Sequence, residues 1–338
     1  MQDTNTESRR IEYVDALKGI AIFCVLWGHS LQYLQNGYDF FHNRAFEFIY
    51  SFHMPLFFMI SGFLFRSSLK LNLKDFLYKK SVRLLLPCIT WIAVYYILRL
   101  LPAMKEFKIP YFWFLRELFI SYFIVYVSLK FFKKNWMACL LSIVFVLIGP
   151  FCAAQRVFLP MFWAGLYLKD NYQVISNHSK HVLIISGIIF SVCLMFWDGN
   201  YTMYVTNFAI LFDIRSLSFN LTNIDISLFR LLIGCCGSLF WFMLFKMTYR
   251  DNKFFAWLGK IGASSLPIYL SQVLILETLT AKMIDFSGMD TWIYNLITPL
   301  VSSIVLAICI ALITIIQKNK YTELLLFGET HPGKHIRA

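Results

Sequence analysis

Three residues that can carry charge or exchange protons, Asp15, Lys18 and His29, sit inside one apolar stretch, IEYVDALKGIAIFCVLWGHSLQYL at residues 11–34. An imidazole exchanges its proton near neutral pH, so His29 suits a general base acting on a hydroxyl group. A helix turns about 100° per residue, which puts Lys18 and His29 about 20° apart on the wheel and Asp15 about 40° from His29. All three share one stripe, with Ile22 and Val25 filling the gap. Along the axis Lys18 and His29 are roughly 16 Å apart at 1.5 Å per residue. One face thus carries a charged pair near one end and a lone imidazole near the other.

The element that must position them is a membrane-spanning helix, because the stretch exceeds the roughly 20 apolar residues a bilayer crossing needs. An Asp or Lys at the centre of such a helix costs roughly 2.5–3.5 kcal/mol, and ionisable groups kept there usually mark a working site. The plainer reading is a buried salt bridge and a satisfied core histidine. The next apolar run contains FHMPLFFMISGF, residues 52–63. It returns in the opposite direction, and His53 lies at a depth that matches His29 within roughly 5 Å. Two imidazoles could therefore flank one pocket in the outer half of the membrane. Pro55 is expected to loosen this helix, with His53 capping the turn as the simpler role. Ser61 and Gly62 permit close approach of a neighbour.

Composition supports the class. Of 338 residues, 59% are hydrophobic and only 15% charged, and mean hydropathy is +0.62; soluble domains average about 25% charged. The chain reads as an all-α polytopic membrane protein. Apolar runs at about 11–34, 45–65, 82–101, 112–132, 136–151, 156–168, 182–197, 229–248, 261–281 and 292–316 give about ten transmembrane helices. The sixth is short and contains Pro160, so a break or tilt is expected there. With the N-terminus inside, cytoplasmic segments carry about three times as many Lys and Arg as outer ones, which favours cytoplasmic N- and C-termini. The net charge of +12 reflects this bias and not nucleic-acid binding. Residues 1–338 read as a single integral-membrane domain, with 1–10 a cytoplasmic N-terminus and no cleavable leader. Residues 317–338 read as a basic cytoplasmic tail holding His331 and His335. The eight cysteines are scattered without zinc spacing and read as small hydrophobes. The longest outer connection, about 198–228, is aromatic and polar, includes Arg215, and has the length of a loop that covers or binds at a site.

Other candidate groups lie near the two membrane faces. The loop 66–83 is basic and runs through Lys79 and Lys80 into RLLLP at 83–87; Arg83 continues directly into an apolar helix. Such cations set topology, and they also bind phosphates. WFLREL at 113–118 places Trp113, Arg116 and Glu117 near the outer face as site residues or an interfacial pair. SLPIYLSQ at 265–272 puts the neutral Gln272 inside a span, where it could line the same cavity. There is no G-x-S-x-G elbow, phosphate-binding glycine loop or metal-ligand cluster. The chemistry left is base-assisted transfer to a hydroxyl from an activated donor.

These residues resemble the type-3 acyltransferase family, bacterial membrane O-acyltransferases that modify envelope glycans. The resemblance runs through most of the chain, strongest in DALKGIAIFCVLWGH (15–29) and FHMPLFFMISGF (52–63), with RLLLP, WFL and SLPIYL adding weaker support. The form of 52–63 is most similar to the branch of fucose O-acetylases and capsule-modifying enzymes. The resemblance implies an acyl donor, usually acetyl-CoA, on the cytoplasmic side, and a sugar hydroxyl on the far side as acceptor. It implies a functional pair between His29 and the basic residue eleven before it, here Lys18 where the family more often has Arg. Where the family often has His, this chain has Gln272. Some relatives carry a further soluble domain, so this chain is expected to act alone or with a separate partner.

The reading that results is an O-acyltransferase of the inner (plasma) membrane, most simply an O-acetyltransferase, acting on an envelope, capsular or lipid-linked glycan. His29 deprotonates the acceptor or transiently carries the acyl group, with His53 as a second imidazole. Asp15 orients Lys18; Lys18 and Arg83, with Lys79 and Lys80, hold the donor; Trp113, Arg116, Glu117 and Gln272 face the acceptor. No metal is expected. The competing readings are a transporter or flippase for a lipid-linked saccharide and a non-enzymatic assembly subunit.

Overall fold

The computed structural model describes residues 3–35, 37, 39–105, 108–148, 153–201, 209–213, 218–222 and 224–329. Arg215 of the outer connection, and His331 and His335 of the tail, lie outside them. Each of the ten apolar runs contains helix among its described residues. In chain order the helices are α1 (Asp3–Tyr33), α2 (Arg44–Phe63), α3 (Leu73–Lys80), α4 (Leu86–Leu98), α5 (Trp113–Phe131), α6 (Asn135–Ile148), α7 (Ala153–Asp170), α8 (Tyr172–Asn177) and α9 (Ser179–Met195). They continue with α10 (Ile224–Thr248), α11 (Lys253–Ala263), α12 (Ser265–Gln272), α13 (Ala281–Met283), α14 (Thr291–Ile316) and α15 (Lys320–Phe327). Two π-helical segments interrupt this pattern, Ser81–Leu85 between α3 and α4 and Val273–Thr280 between α12 and α13.

Among the described residues five helices are long and apolar enough to cross a membrane: Glu12–Tyr33, Arg44–Phe63, Leu73–Leu98, Ile224–Thr248 and Thr291–Ile316. Asn135–Leu147 and Ser179–Met195 are shorter apolar helices. The architecture is all-α as expected, two helix boundaries differ from expectation, and the long outer connection adds a short hairpin in which β1 (Ala209–Asp213) and β2 (Ser218–Thr222) pair antiparallel, Ala209 opposite Thr222. The β-branched and aromatic residues of this connection suit a ladder better than a structureless loop. The sixth run is not broken, since α7 starts at Ala153 and passes through Pro160. One missing amide donor is tolerated in an apolar helix held by neighbours. The ninth run is two helices, because α11 ends at Ala263 and α12 restarts at Ser265.

The described helices pack as two compact units, each assembled from separated stretches. The first takes residues 1–46, 77–116 and 249–338; the second takes 47–76 and 117–248. In an apolar medium helices gain little from burying more apolar surface, so close packing and internal hydrogen bonds must hold each unit. In the first unit α1 crosses α11 at Gly19 and Gly262. A Cβ on Gly19 would run into the Leu258 carbonyl, and one on Gly262 into the Asp15 carbonyl and the Gly19 amide. Asn252 caps α11 by accepting from the Phe255 amide at 2.9 Å, which fixes where that helix begins.

The second unit repeats the device. Gly62 of α2 meets the Phe162 carbonyl of α7, and Gly165 of α7 meets the Met59 carbonyl of α2. Around this crossing Phe58 stacks on Phe158 at 4.6 Å and Phe63 packs on Phe242 at 5.0 Å. Replacing Gly262 with Ala forces the α1–α11 backbones apart, and a loss of about 1–3 kcal/mol is expected from overpacking. Gly259, on the same helix, has nothing nearer a Cβ than the Glu12 carbonyl at 4.0 Å. Gly259→Ala should therefore leave stability unchanged or raised. Thermal unfolding of the two variants in detergent checks the contrast.

Candidate active site

The polar face of α1 meets a second polar group that only the fold reveals. His29 Nδ1 lies 2.9 Å from Glu277 Oε1 and 3.1 Å from Gln272 Oε1. Gln272 Nε2 donates to the same Glu277 oxygen at 3.0 Å. A carboxylate only accepts, so the Gln272 amide must turn its nitrogen toward Glu277 and its oxygen toward His29. Two acceptors then face Nδ1, which must carry the imidazole proton. In the neutral ring Nε2 is left with a lone pair, the arrangement a general base needs. His29 and Glu277 side chains are 16% and 18% exposed, so the cluster is sheltered but not sealed, while Gln272 is fully buried.

Glu277 reaches this cluster because of the π-helical turn. In an α-helix, residues five apart point about 140° apart. The i→i+5 bonding of a π-helix brings them onto one face. Side-chain bonds follow the same spacing: Thr278 Oγ1 donates to the Val273 carbonyl at 3.0 Å and Thr280 Oγ1 to the Ile275 carbonyl at 2.7 Å. Buried Tyr95 of α4 shares a hydrogen bond with Thr278 at 2.9 Å and anchors the segment from outside. Helix α14 holds α1 at the level of His29. Trp27 Nε1 donates to Thr298 at 3.1 Å, Ser30 and Ser302 share a bond at 2.8 Å, and Tyr294 donates to the Ser30 carbonyl at 2.9 Å. These contacts fix the rotation of α1 and hence the aim of the imidazole.

At the other end of the stripe, Lys18 and Asp15 pair at 2.6 Å, with side chains 20% and 26% exposed. Arg83 sits on the first π-helical segment and bonds through Nη1 to Glu329 Oε1 at 2.5 Å. Lys79 is exposed and Lys80 half-buried at the end of α3. Trp113 opens α5, and Arg116 lies over the Tyr111 ring at 4.9 Å. Phe112 and Phe114 pack on Tyr269, one turn before Gln272. Glu117 and His53 belong to the other unit. Glu117 is fully buried and accepts from Gln155 Nε2 at 2.8 Å, with Ser121 donating to Gln155 Oε1 at 2.9 Å. His53 is buried; its Nδ1 donates to the Ile49 carbonyl of its own helix at 2.6 Å, and its ring packs on Tyr50.

The structure thus joins His29 to Gln272 and Lys18 to Asp15, and adds Glu277, which spacing reasoning missed. The signal was present as a lone carboxylate in the apolar segment VLILETLT, but α-helical spacing puts it on a different face from Gln272. If Glu277 fixes the imidazole tautomer, Glu277→Gln should lower turnover by roughly 10²–10⁴ with little change in donor KM. Steady-state kinetics of acyl transfer on the purified variant checks this.

A family described as "Acyltransferase domain" matches residues 11–316. Nodulation protein NolL of Mesorhizobium japonicum is 26% identical over 333 residues, covering 91% of this chain and 86% of the relative. Nodulation protein NolL of Sinorhizobium fredii is 25% identical over 225 residues, covering 60% of this chain and 61% of the relative. No solved structure matches the chain significantly. The family match spans nearly the whole chain, the segments of the His29 cluster included, and the chain belongs to the type-3 acyltransferase family.

Proposed function

We propose that the protein is an O-acyltransferase that moves an acyl group, most simply acetyl, from cytoplasmic acyl-CoA to a hydroxyl of a cell-envelope, capsular or lipid-linked glycan. The observation that carries this reading is the His29 imidazole with both acceptors at Nδ1. It is oriented by Glu277 and Gln272. Nε2 takes the proton of the acceptor hydroxyl as its oxygen attacks the thioester carbonyl, and Glu277 steadies the imidazolium that forms; the carbonyl–sulfur bond then breaks and the imidazolium returns the proton to the departing CoA thiolate, which restores the neutral ring. The donor supplies an activated thioester. Its phosphates need cations that solvent can reach, and the part-exposed Lys18, half-exposed Arg83 and exposed Lys79 fit that need. Lys18 holds the donor's polar parts and Asp15 keeps its ammonium in place. In this reading about ten helices cross the inner membrane with both ends cytoplasmic, so the donor and acceptor approach from opposite sides.

Vesicles of both orientations, supplied with radiolabelled acetyl-CoA, test the scheme. Label should reach glycan when the donor meets the cytoplasmic face, and His29→Ala should abolish it. Equal labelling by His29→Ala would remove that residue from the chemistry. No labelling by the wild type with any acyl-CoA would favour a saccharide transporter. Lys18→Ala should raise the donor KM about tenfold or more, as expected for loss of a charged hydrogen bond worth about 1.5–3 kcal/mol, with a smaller change in kcat. A quenched single turnover separates direct transfer from an acyl-histidine, because only the second leaves label on the protein.

A further inference from the structure

The second unit contains a small pocket that the transfer chemistry above does not use. Arg230 of α10, Tyr50 and Ser51 of α2, Phe158 of α7, and Trp197 and Tyr201 beyond the end of α9 line it. Its cavity is ≈ 30 Å³ on the scale where one water needs roughly 10–15 Å³. That is room for one planar group of about two waters' size, not for a whole sugar ring. One buried donor at the pocket stands out. Trp197 is 5% exposed, and its indole N–H finds no hydrogen-bond partner among the described residues. The Tyr50, Ser51 and Tyr201 side chains bring hydroxyls, and Arg230 is half-buried in a helix long and apolar enough to span a membrane.

The helix chemistry sharpens the pocket. Pro55 has no amide hydrogen, so it cannot give the Ser51 carbonyl its helical partner, and both residues border the cavity. Gly234 of α10 brings its helix against Pro55: a Cβ there would lie 2.9 Å from Pro55 Cγ. Arg230, one turn earlier on that helix, lines the same cavity as Tyr50. The buried His53 ring braces Tyr50 at 4.8 Å. Tyr50 and Arg230 each lie six positions into their helices, roughly 9 Å from the ends at Arg44 and Ile224. A planar guanidinium matches a carboxylate in a two-point fork, and indole and phenol rings offer flat apolar faces with polar tips.

We infer that this pocket binds the carboxylate of an acidic sugar, so that the acceptor glycan carries a uronate-like group. The inference rests on the acyltransferase reading for the word acceptor, but its test does not. Methyl glucuronoside and neutral methyl glucoside are titrated into the full-length protein in detergent without any acyl donor. The wild type should bind the uronoside at least about tenfold more tightly. Arg230→Gln should erase that preference while unfolding at a temperature close to wild type. Arg230→Lys should recover only part of it, because the charge remains and the fork is lost. Trp197→Phe, which keeps the packing and removes the N–H, should weaken uronoside binding severalfold and serves if Arg230→Gln does not fold. Equal wild-type affinity for the two glycosides overturns the inference. So does inorganic phosphate competing where the uronoside shows no advantage, since the acid group would then be a phosphate. Preferential uronoside binding in a protein that transfers no acyl group would keep the pocket and sink the transferase reading instead.

Discussion

A carboxylate on an otherwise apolar helical segment has few water contacts, and its neighbours must supply most of its donors. Glu277 meets that demand with His29 Nδ1 and Gln272 Nε2. Much else in the first unit follows from satisfying this one charge. The backbone switches to a π-helix so that Glu277 and Gln272 share a face. Tyr95 ties down the altered turn, and α14 clamps α1 so that the imidazole cannot rotate away. The need to give a sheltered carboxylate its hydrogen-bond donors and the need to orient a base are met by the same three side chains.

Holding that cluster together is a packing problem more than a hydrophobic one. Helices surrounded by apolar chains gain little by hiding apolar surface from one another. The Gly19–Gly262 crossing lets the α1 and α11 backbones touch, which maximises dispersion contact and leaves no slack in the position of α1. The same helix carries the Lys18–Asp15 pair on the turn beside the crossing and His29 about three turns further on. A rigid α1 therefore keeps a cationic end and a basic end at a fixed separation. The Gly62–Gly165 crossing does comparable work in the second unit, where it holds the aromatic core around α2 and α7.

Proline and glycine have local roles here that differ from simple helix breaking. Pro160 passes unbroken within α7, and Pro55 leaves α2 continuous while denying the Ser51 carbonyl its usual donor. His53, two residues before Pro55, donates instead to the Ile49 carbonyl one turn earlier. Pro55 and Ser51 line the same small cavity as Arg230 and Trp197.

The sequence by itself determined the helical frame, since unbroken apolar runs bounded by charged and polar connections can bury their backbone hydrogen bonds only as helices. It also determined the family, through the fixed spacing of Lys18 and His29 and the motif around His53. It marked Asp15–Lys18 as a pair, because residues three apart on a helix must face each other. What only the tertiary structure decided was which partner His29 takes. Glu277 lies 248 positions away in the chain, in a segment whose π-helical winding α-helical periodicity cannot anticipate. Tertiary packing likewise assigned Glu117 to a buried network with Gln155 and set Arg83 against Glu329. It also folded part of the outer connection into a hairpin. Local spacing fixes neighbours within a helix, and contacts between distant helices depend on how backbones cross, which here was set by four glycines.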